Sequence, residues 1–285
     1  MSLPAGAAEA RPVGGGDINE AWHVRLADGR EAFVKTREDA GAGEYEAEAR
    51  GLRWLGEPGA LRVPEVLEVG ERHLALEWIE PGQLGLGGEE ELGVGLAPVH
   101  RAGAPHFGDP EVALDATETA QEAARFGSLR LPNEPTASWP KFYVERRLRP
   151  LMRVAAERGA VSEAALAALE RICERIDALA GPAEPPARLH GDLWWGNVLA
   201  DASGHPWLID PSAYGGHREI DIAMLKLFGA SRGRAFDAYE EAYPLAEGHE
   251  ERVELWQLLP LLVHAVLFGG SYGSAVERAA RRYTG

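Results

Sequence analysis

Short apolar runs alternate with one amphipathic segment in the first third of the chain. The runs 31–35, 66–69 and 74–79 are rich in apolar residues and are separated by charged residues, glycine and proline, which predicts strands. Residues 43–55 repeat apolar side chains at helical spacing and predict a helix. Pro81-Gly82 then interrupts the pattern. The first third of the chain therefore predicts a sheet-rich unit with one helix.

A second amphipathic helix is predicted between Ser162, which has the side chain of an N-cap, and the helix-breaking pair Gly181-Pro182. Its apolar stripe consists of Leu166, Leu169, Ile172, Cys173 and Ile176. Because Cys173 is the single cysteine, an intramolecular disulfide and a cysteine-based zinc site are excluded. Its place on the stripe predicts a buried thiol of low reactivity.

A short hairpin carries the first candidate functional residues. Two apolar strands, 198–200 and 207–209, are predicted with a turn between them. If residue 200 pairs with residue 207, Asn197 and Asp210 face each other at the open end of the hairpin, roughly 5 Å apart. That separation would allow both side chains to coordinate neighbouring metal ions.

Asp192 lies on the loop that leads into the same end of the hairpin. An aspartate, an asparagine five places later and a second aspartate after a hairpin is the layout of a phosphoryl-transfer site. In that layout Asp192 orients the attacking hydroxyl, and Asn197 and Asp210 bind magnesium. The alternative is that His190 and Asp192 belong to an ordinary turn and Asp210 caps a loop. The matching position of Asp210 on the hairpin favours the site.

Lys35 ends a predicted apolar strand in a chain that has 26 arginines but only three lysines. A compact ammonium group suits the α- and β-phosphates of a nucleotide. Glu48 lies on the helical stripe of Tyr45 and Leu52, so it should point inward, where an unpaired carboxylate is costly. Lys35 is its natural counter-charge. The alternative is that Glu48 lies at the edge of the stripe and reaches solvent.

A glycine-rich turn precedes that strand. The run Gly14-Gly15-Gly16-Asp17 lies between two predicted strands, and its glycines would let backbone amides approach phosphate oxygens. The spacing differs from GxxxxGK[ST], so a P-loop NTPase is disfavoured. A glycine triplet by itself is usually a flexible turn.

The last predicted strand of this region ends just before Pro81-Gly82 and would form a hinge between two lobes. The backbone of Glu77, Trp78 and Ile79 would then be available to an adenine ring. The glycine turn, the lysine strand and the hinge follow one another in the order that a kinase site needs.

Composition restricts the class of protein. The 285 residues, 45% of them apolar, can bury a full core in one bilobal unit or two small domains. With 45 acidic against 29 basic residues the net charge is −16, which argues against nucleic acid as a partner. No apolar run is long enough to cross a membrane, and no leader pattern opens the chain, so we predict a cytoplasmic protein without a membrane partner.

Several stretches resemble the fructosamine/ribulosamine 3-kinase family, a branch of the kinase-like phosphotransferases that includes aminoglycoside and choline kinases. They are residues 14–18 with 33–35, 46–49 with 51–52, 126–128, 139–148, 190–197 and 210–219, so the resemblance is spread along the chain and is not confined to one segment. Trp194 is informative, because the resembled family has Leu-Trp after the aspartate, whereas aminoglycoside and choline kinases generally carry another residue there.

The resemblance implies an α+β, bilobal, protein-kinase-like fold, with an antiparallel-sheet N-lobe over 1–79 and a mostly helical C-lobe over 80–285. ATP and Mg²⁺ would bind between the lobes. The acceptor would be a small or protein-bound ketosamine, phosphorylated on its 3-hydroxyl, which destabilises the adduct and repairs glycation. Trp194, Tyr214 and His217 would line the acceptor pocket, while Asp221 would support the catalytic loop. A monomer is expected.

The sequence departs from that family in three places. Trp195 stands where the family usually has a small residue, so it should narrow the acceptor entrance. Asp17 stands where many members have a cysteine, so no thiol switch is expected there. Residues 109–125 differ from the family's His- and Asn-containing stretch, which leaves the exact acceptor open.

Two alternatives remain from the sequence. An aminoglycoside or other amino-alcohol kinase on the same fold is disfavoured by Trp194. A nucleotide-binding pseudokinase is disfavoured because all the proposed catalytic residues are present, namely Lys35, Glu48, Asp192, Asn197 and Asp210.

Overall fold

The alternating apolar runs at the start of the chain form a five-stranded antiparallel sheet. The structure is a computed structural model and describes residues 4, 6–14, 19–114, 124–228 and 233–284. The strands are β1 (Ala7–Pro12), β2 (Glu20–Leu26), β3 (Glu31–Thr36), β4 (Val66–Gly70) and β5 (His73–Glu77), in the spatial order β1-β2-β3-β5-β4. The predicted strands of this region are confirmed, with shifts of a few residues at their ends.

One helix, α1 (Glu44–Gly56), packs on this sheet. Its stripe residues Tyr45 and Leu52 are buried against Leu74 and Leu76 of β5, as the helical periodicity predicts. Lys35 alternates with Val34 along β3 and therefore lies on the sheet face that α1 covers. This packing places the lysine beside the helix that carries Glu48.

The remainder of the described chain is mostly helical. Its helices are α2 (Leu86–Ala102), α3 (Trp139–Phe142), α4 (Arg149–Glu157), α5 (Glu163–Leu179), α6 (Glu219–Leu227), α7 (Gly233–Ala242), α8 (His249–Phe268) and α9 (Tyr272–Arg281). A π-helical turn at Tyr143–Leu148 joins α3 to α4. Short strand pairs complete it: β6 (Ala124–Phe126) with β7 (Leu129–Leu131), β8 (Ala187–Leu189) with β11 (Tyr214–Gly216), and β9 (Val198–Ala200) with β10 (Pro206–Leu208).

Helix α8 runs through the centre of this helical part, with Leu255, Leu258 and Leu262 buried in its main core. Helix α5 begins where the sequence predicted, because the Ser162 hydroxyl accepts a hydrogen bond from the Ala165 N–H at 3.1 Å. Cys173 is buried on the inner face of α5, as expected.

The hairpin of β9 and β10 differs from the prediction by one residue. Ala200 pairs with Pro206 instead of Trp207, so Asn197 lies opposite Ile209 and not opposite Asp210. The cause is the turn: the Asp201 side chain accepts hydrogen bonds from the backbone N–H groups of residues 203 and 205, at 2.9 and 3.0 Å, and closes a shorter loop.

An antiparallel sheet followed by a mostly helical part matches the predicted α+β architecture. Within the described ranges, none of the helices has both the length and the apolar composition that a bilayer crossing requires.

Candidate active site

A cleft of about 1730 Å³ lies between the sheet and the helical part. Ordinary small-molecule pockets measure about 300–1000 Å³, so this cleft has room for two ligands side by side. Lys35 and Ile79 line it from the sheet, and Asp192, Asn197 and Asp210 line it from the helical part. The structure thus brings together the charged residues that the sequence analysis selected.

Lys35 is bound by two carboxylates. Its Nζ donates to Glu48 Oε1 at 2.8 Å and to Asp210 Oδ1, so the predicted pairing with Glu48 is confirmed. Burial lowers the pKa of Lys35, but the charges of Asp210 and Glu48 outweigh it and the net direction is upward. The ammonium therefore stays protonated and keeps its positive charge inside the cleft.

Asp210 has a backbone conformation that is uncommon for residues other than glycine. Its φ is 56°, and among the described residues it is the one non-glycine with a positive φ. Aspartate and asparagine enter this left-handed region more readily than other side chains. Because Asp210 follows the last paired residue of the hairpin, this turn directs its carboxylate to Lys35. It replaces the direct pairing with Asn197 that the sequence analysis expected.

Asp192 and Asn197 are in direct contact. The Asn197 Nδ2 donates to the backbone oxygen of Asp192 at 2.8 Å and to its carboxylate at 3.2 Å. Burial and the charge of Asp210 raise the pKa of Asp192 to about 7, against the lowering effect of Asn197. A carboxyl group with this pKa can exchange a proton near neutrality.

The loop that carries Asp192 is anchored to α6. The buried carboxylate of Asp221 accepts the backbone N–H groups of His190 and Gly191 at 2.8 and 2.9 Å. Gly191 has a φ of 82°, and a Cβ there would lie 2.2 Å from the carbonyl oxygen of Ser212. The loop conformation thus requires glycine at 191 and an acceptor at 221, in agreement with the predicted supporting role of Asp221.

His190 ties the same loop to the hairpin. Its Nε2 donates to the carbonyl oxygen of Ile209 at 2.9 Å, and its Nδ1 accepts from the backbone N–H of Asp192 at 3.3 Å. Burial lowers the pKa of His190, and one donor nitrogen with one acceptor nitrogen describes a neutral ring. The His190 imidazole therefore joins the backbone of Asp192 to that of Ile209, the residue before Asp210.

The side chains of Asn197 and Asp210 fit magnesium. Among the described residues, no group of three or more His, Cys, Asp or Glu could hold a metal ion by itself. Magnesium at nucleotide sites usually takes one or two protein carboxylates and completes its shell with phosphate oxygens and water. Asn197 uses its amide nitrogen on Asp192, which leaves its Oδ1 as the coordinating atom. The donor set is that of a metal–nucleotide site and not of a closed metal cage.

The sheet side of the cleft contains the three residues that were predicted to form the hinge. Glu77, Trp78 and Ile79 all line it. The Trp78 ring stacks on His23 with ring centroids 3.7 Å apart and planes within 10°, which fixes the indole at the edge of the sheet. Gly14 also lines the cleft, whereas Gly15, Gly16 and Asp17 lie outside the described residues.

Only one of the three residues predicted to contact the acceptor lines the cleft. Trp194 is 39% exposed and lines the cleft, with its ring edge-on to Phe228. Tyr214 is fully buried and His217 is 3% exposed. The prediction that Tyr214 and His217 line the pocket is wrong.

Local packing explains both errors. Tyr214 belongs to β11, which is buried along its whole length, and its ring stacks on Phe142. His217 stacks on Trp256 of α8 at 5.6 Å, and burial lowers its pKa. Both side chains belong to the core of the helical part.

Trp195 also differs from expectation. Its Nε1 donates to the carbonyl oxygen of Leu225 at 3.0 Å, and its ring packs edge-on against Phe236. The side chain is half-buried in the apolar cluster below the catalytic loop, so it does not narrow the acceptor entrance. The two neighbouring tryptophans thus have different surroundings, since Trp194 contacts Phe228 at the cleft and Trp195 packs on Phe236.

Several residues that line the cleft carry no signal in the sequence. They include Asp109, Arg125, Asn133, His264, Phe268 and Tyr272. These residues come from distant segments and share no local motif, so only the folded chain brings them together. The divergent segment 109–125 contributes Asp109 and Arg125, while residues 115–123 lie outside the described part.

Comparison with known proteins extends these observations. The family model for fructosamine kinase matches residues 3–284. A probable ketoamine kinase of Enterococcus faecium is 35% identical over 277 residues, covering 95% of this chain and 94% of that protein. A solved Thermobifida fusca protein, assigned as a fructosamine-3-kinase, is 42% identical with a TM-score of 0.87, over 98% of this chain and 94% of that one.

More distant structures share the fold alone. An ADP-bound aminoglycoside phosphotransferase is 15% identical with a TM-score of 0.63, over 98% of this chain and 95% of that one. The predicted protein-kinase-like fold is therefore confirmed. From the full-length match and the relatives, the chain belongs to the fructosamine kinase family and is a phosphotransferase, and this family implies ATP as the phosphate donor.

Proposed function

We propose that the protein transfers the γ-phosphoryl group of magnesium-bound ATP to the 3-hydroxyl of a ketosamine. One observation carries the proposal: Lys35, Glu48 and Asp210 on one side and Asp192 with Asn197 on the other line one cleft of a fructosamine kinase family chain. Phosphorylation at that hydroxyl would destabilise the sugar–amine adduct, so the biological role would be deglycation.

The residues on the nucleotide side would bind and neutralise the phosphates. Lys35 would exchange its contact with Asp210 for the α- and β-phosphates, while Glu48 keeps the ammonium in place. Asn197 and Asp210 would hold magnesium, which neutralises charge on the phosphates when bound. Positioning and charge neutralisation supply most of the rate in such transfers.

Asp192 would orient the attacking hydroxyl and accept its proton. Its carboxylate is fixed by Asn197, and its loop is fixed by Asp221 and His190, so the base cannot drift from the reacting oxygen. The raised pKa, about 7, makes this carboxylate a stronger base than an exposed aspartate.

Trp194 supports a ketosamine over a larger acceptor. Its exposed indole lies two residues after Asp192 and offers a flat apolar wall for one sugar ring. A multi-ring aminoglycoside would be crowded by the same wall. The acceptor can be a free or protein-bound ketosamine, and we favour adducts on free lysine or exposed chain ends.

An ATP-consumption screen tests this proposal, with ribulosyl-, erythrulosyl- and fructosyl-lysine beside kanamycin and choline. We expect the best ketosamine to exceed kanamycin in kcat/KM by at least about tenfold, or roughly 1.4 kcal/mol in transition-state binding. If kanamycin is phosphorylated faster than every ketosamine, the acceptor assignment is overturned, but the assignment as a kinase is not affected.

Asp192→Asn is the matched control for the chemistry. The variant should still bind Mg-ATP, but kcat should fall at least about 10²-fold, because general-base assistance is typically worth that much. Near-normal turnover by this variant would show that Asp192 is not the catalytic base. If the wild-type protein turns over none of the substrates, the pseudokinase alternative is favoured.

The proposal also includes a monomeric, cytoplasmic protein that does not bind nucleic acid. The net charge of −16 supports the last point, because a polyanionic partner would be repelled.

A further inference from the structure

A buried arginine lies beneath the acceptor side of the cleft. Arg147, in the π-helical turn, is 0% exposed and forms no salt bridge with any residue that the structure describes. Its guanidinium lies over the rings of Phe142 and Tyr214, at 4.4 and 4.3 Å from their centroids. A buried charge without a counter-charge destabilises the fold, so the groups that accept hydrogen bonds from Arg147 are of interest.

Two of those partners belong to the loop after β7. Arg147 Nη1 donates to the carbonyl oxygen of Pro132 at 2.7 Å, and Nη2 donates to Asn133 Oδ1 at 2.9 Å. The backbone oxygen of Asn133 accepts from the Asp109 N–H at 2.9 Å. Main chain and side chain of Asn133 are therefore both held in place.

The contact with Arg147 determines which way the Asn133 amide points. A guanidinium only donates, so the amide oxygen must face Arg147 and the amide nitrogen must face the other way. Asn133 is 6% exposed and lines the cleft, yet its Nδ2 makes no hydrogen bond to the residues that the structure describes. This Nδ2 is not sealed off from the cleft, so it is a free donor that an oxygen of a ligand in the cleft can accept from.

Packing places this donor close to the catalytic loop. The ring of Tyr214, which contacts Arg147, lies 3.0 Å from where a Cβ of Gly191 would be. Phe126 lies 5.7 Å from the guanidinium carbon and lines the same small cavity as Asp192. Arg147 and Tyr214 therefore connect Asn133 to the residue that precedes Asp192.

We propose that Asn133 binds the acceptor, donating from Nδ2 to an oxygen of the sugar, and that Arg147 is the residue that positions it. The inference rests on the proposed function and adds a specificity residue to the same site. A ketose presents several hydroxyl oxygens. A neutral donor fixed in the wall of the cleft would favour a sugar with a hydroxyl opposite Asn133 over a sugar that lacks it.

Asn133→Asp tests the proposal because it replaces only the amide nitrogen by an oxygen. In this variant, N133D, a carboxylate oxygen still accepts the hydrogen bond from Arg147 and adds a counter-charge to the guanidinium. The Nδ2 donor, which would contact the sugar, is lost. We expect the melting temperature to stay the same or rise, kcat/KM for the best ketosamine to fall at least about tenfold, and KM for ATP to stay within about twofold. A purely structural role for Asn133 predicts an equally active or better enzyme.

Asn19→Asp is a control for charge. Asn19 lines the cleft from the sheet side, and its Oδ1 accepts from the Tyr45 hydroxyl, which an aspartate would still satisfy. This variant adds the same negative charge to the nucleotide side of the cleft, so it should raise KM for ATP but leave the ranking of acceptors unchanged. An equal loss of kcat/KM for the ketosamine in both variants would overturn the proposal, because charge alone would then explain it.

A series of singly deoxygenated ketosamines identifies the bonded oxygen. For one position, wild type should lose at least about tenfold in kcat/KM while N133D loses little, since the bond is already absent. Arg147→Lys, which keeps the charge but not the fork, should raise the acceptor KM and leave the KM for ATP unchanged.

The proposed function and the role of Asn133 can be contradicted separately. A wild-type chain that phosphorylates no ketosamine would overturn the proposed function and this assignment together. Ketosamine turnover that is unaffected in N133D would overturn this assignment alone.

Discussion

Asp192 shows how one residue meets opposing demands. Burial and the nearby Asp210 raise its pKa to about 7, which suits a proton acceptor but makes the ionised form unfavourable in the folded protein. Without nucleotide and metal, nothing among the described residues of the cleft offsets that charge directly except the amide of Asn197. The proposed catalytic residue therefore costs stability.

The cost has a definite pH dependence. The pKa of Asp192 is raised from 3.8 to about 7 on folding, so the penalty is absent below the lower value and complete above the higher one. Without Mg²⁺ and ATP, Asp192→Asn should raise the free energy of unfolding by roughly 1–3 kcal/mol at about pH 8.5 and by little near pH 4. Urea unfolding at both pH values checks this, and a larger gain at the acidic pH would contradict it.

Cys173 gives a second prediction for a single residue. Burial raises the pKa of its thiol to about 12, so the reactive thiolate is scarce at neutral pH. A chromogenic disulfide reagent should leave the native protein unmodified for hours and should modify one thiol per chain after denaturation. Because Cys173 is the only cysteine, rapid labelling of the native protein would directly show that α5 opens.

At the scale of elements, α6 supports the catalytic loop through one carboxylate. Asp221 accepts two backbone N–H groups and also lies 3.3 Å from the Nε2 of His100 on α2. Three segments thus meet at a side chain that does not touch the cleft. Loss of that side chain should disturb the loop without removing any group that would contact a ligand.

Asp221→Ala should lower the free energy of unfolding by about 2–5 kcal/mol, because two buried donors lose their acceptor. The variant should also have a lower kcat, because the loop that carries Asp192 would no longer be held in place. The control is Ser162→Ala, which removes the N-cap of α5 and should cost about 1 kcal/mol without a kinetic effect. Equal kinetic losses in both variants would mean that global destabilisation, not the loop anchor, limits activity.

At the scale of the whole molecule, the pair of Lys35 and Asp210 joins the two halves. The residues are 175 positions apart in sequence and meet across the cleft. Phosphates bound there would compete for the lysine, and a metal would compete for the carboxylate. Binding of a nucleotide and metal there would therefore be coupled to the contact between the sheet and the helical part.

Mg-ATP should stabilise the wild-type protein by about 2.7 kcal/mol at a hundredfold excess over its Kd. Asp210→Ala should lose most of this stabilisation and most of its Mg-dependent nucleotide affinity, which calorimetry with and without a chelator measures. Unchanged Mg-ATP binding by the variant would show that Asp210 is not a metal ligand.

Local patterns in the sequence were sufficient for the predicted strands and helix of the first third, for α5, and for the pairing of Lys35 with Glu48. Helical periodicity placed Glu48 on an inward stripe, and an inward carboxylate needs a nearby cation, so the pair follows without knowledge of the fold. The same reasoning placed Asn197 and Asp210 at one end of a hairpin. It was wrong by one residue in register, because the Asp201 turn forms from side-chain hydrogen bonds that spacing does not reveal.

The sequence by itself thus determined the order of the candidate site residues along the chain. It also determined the spacing of apolar residues that favours a strand or a helix. Only the tertiary structure decided which side of a short segment faces the cleft. Trp194 and Trp195 are neighbours with the same side chain, yet one lines the cleft and the other packs on Phe236. Tyr214 lies in the core, and Asn133, which no local motif marks, lies at the cleft. The physical reason is that burial is set by contacts between segments far apart in sequence, and a turn of three residues has no period from which its faces could be inferred.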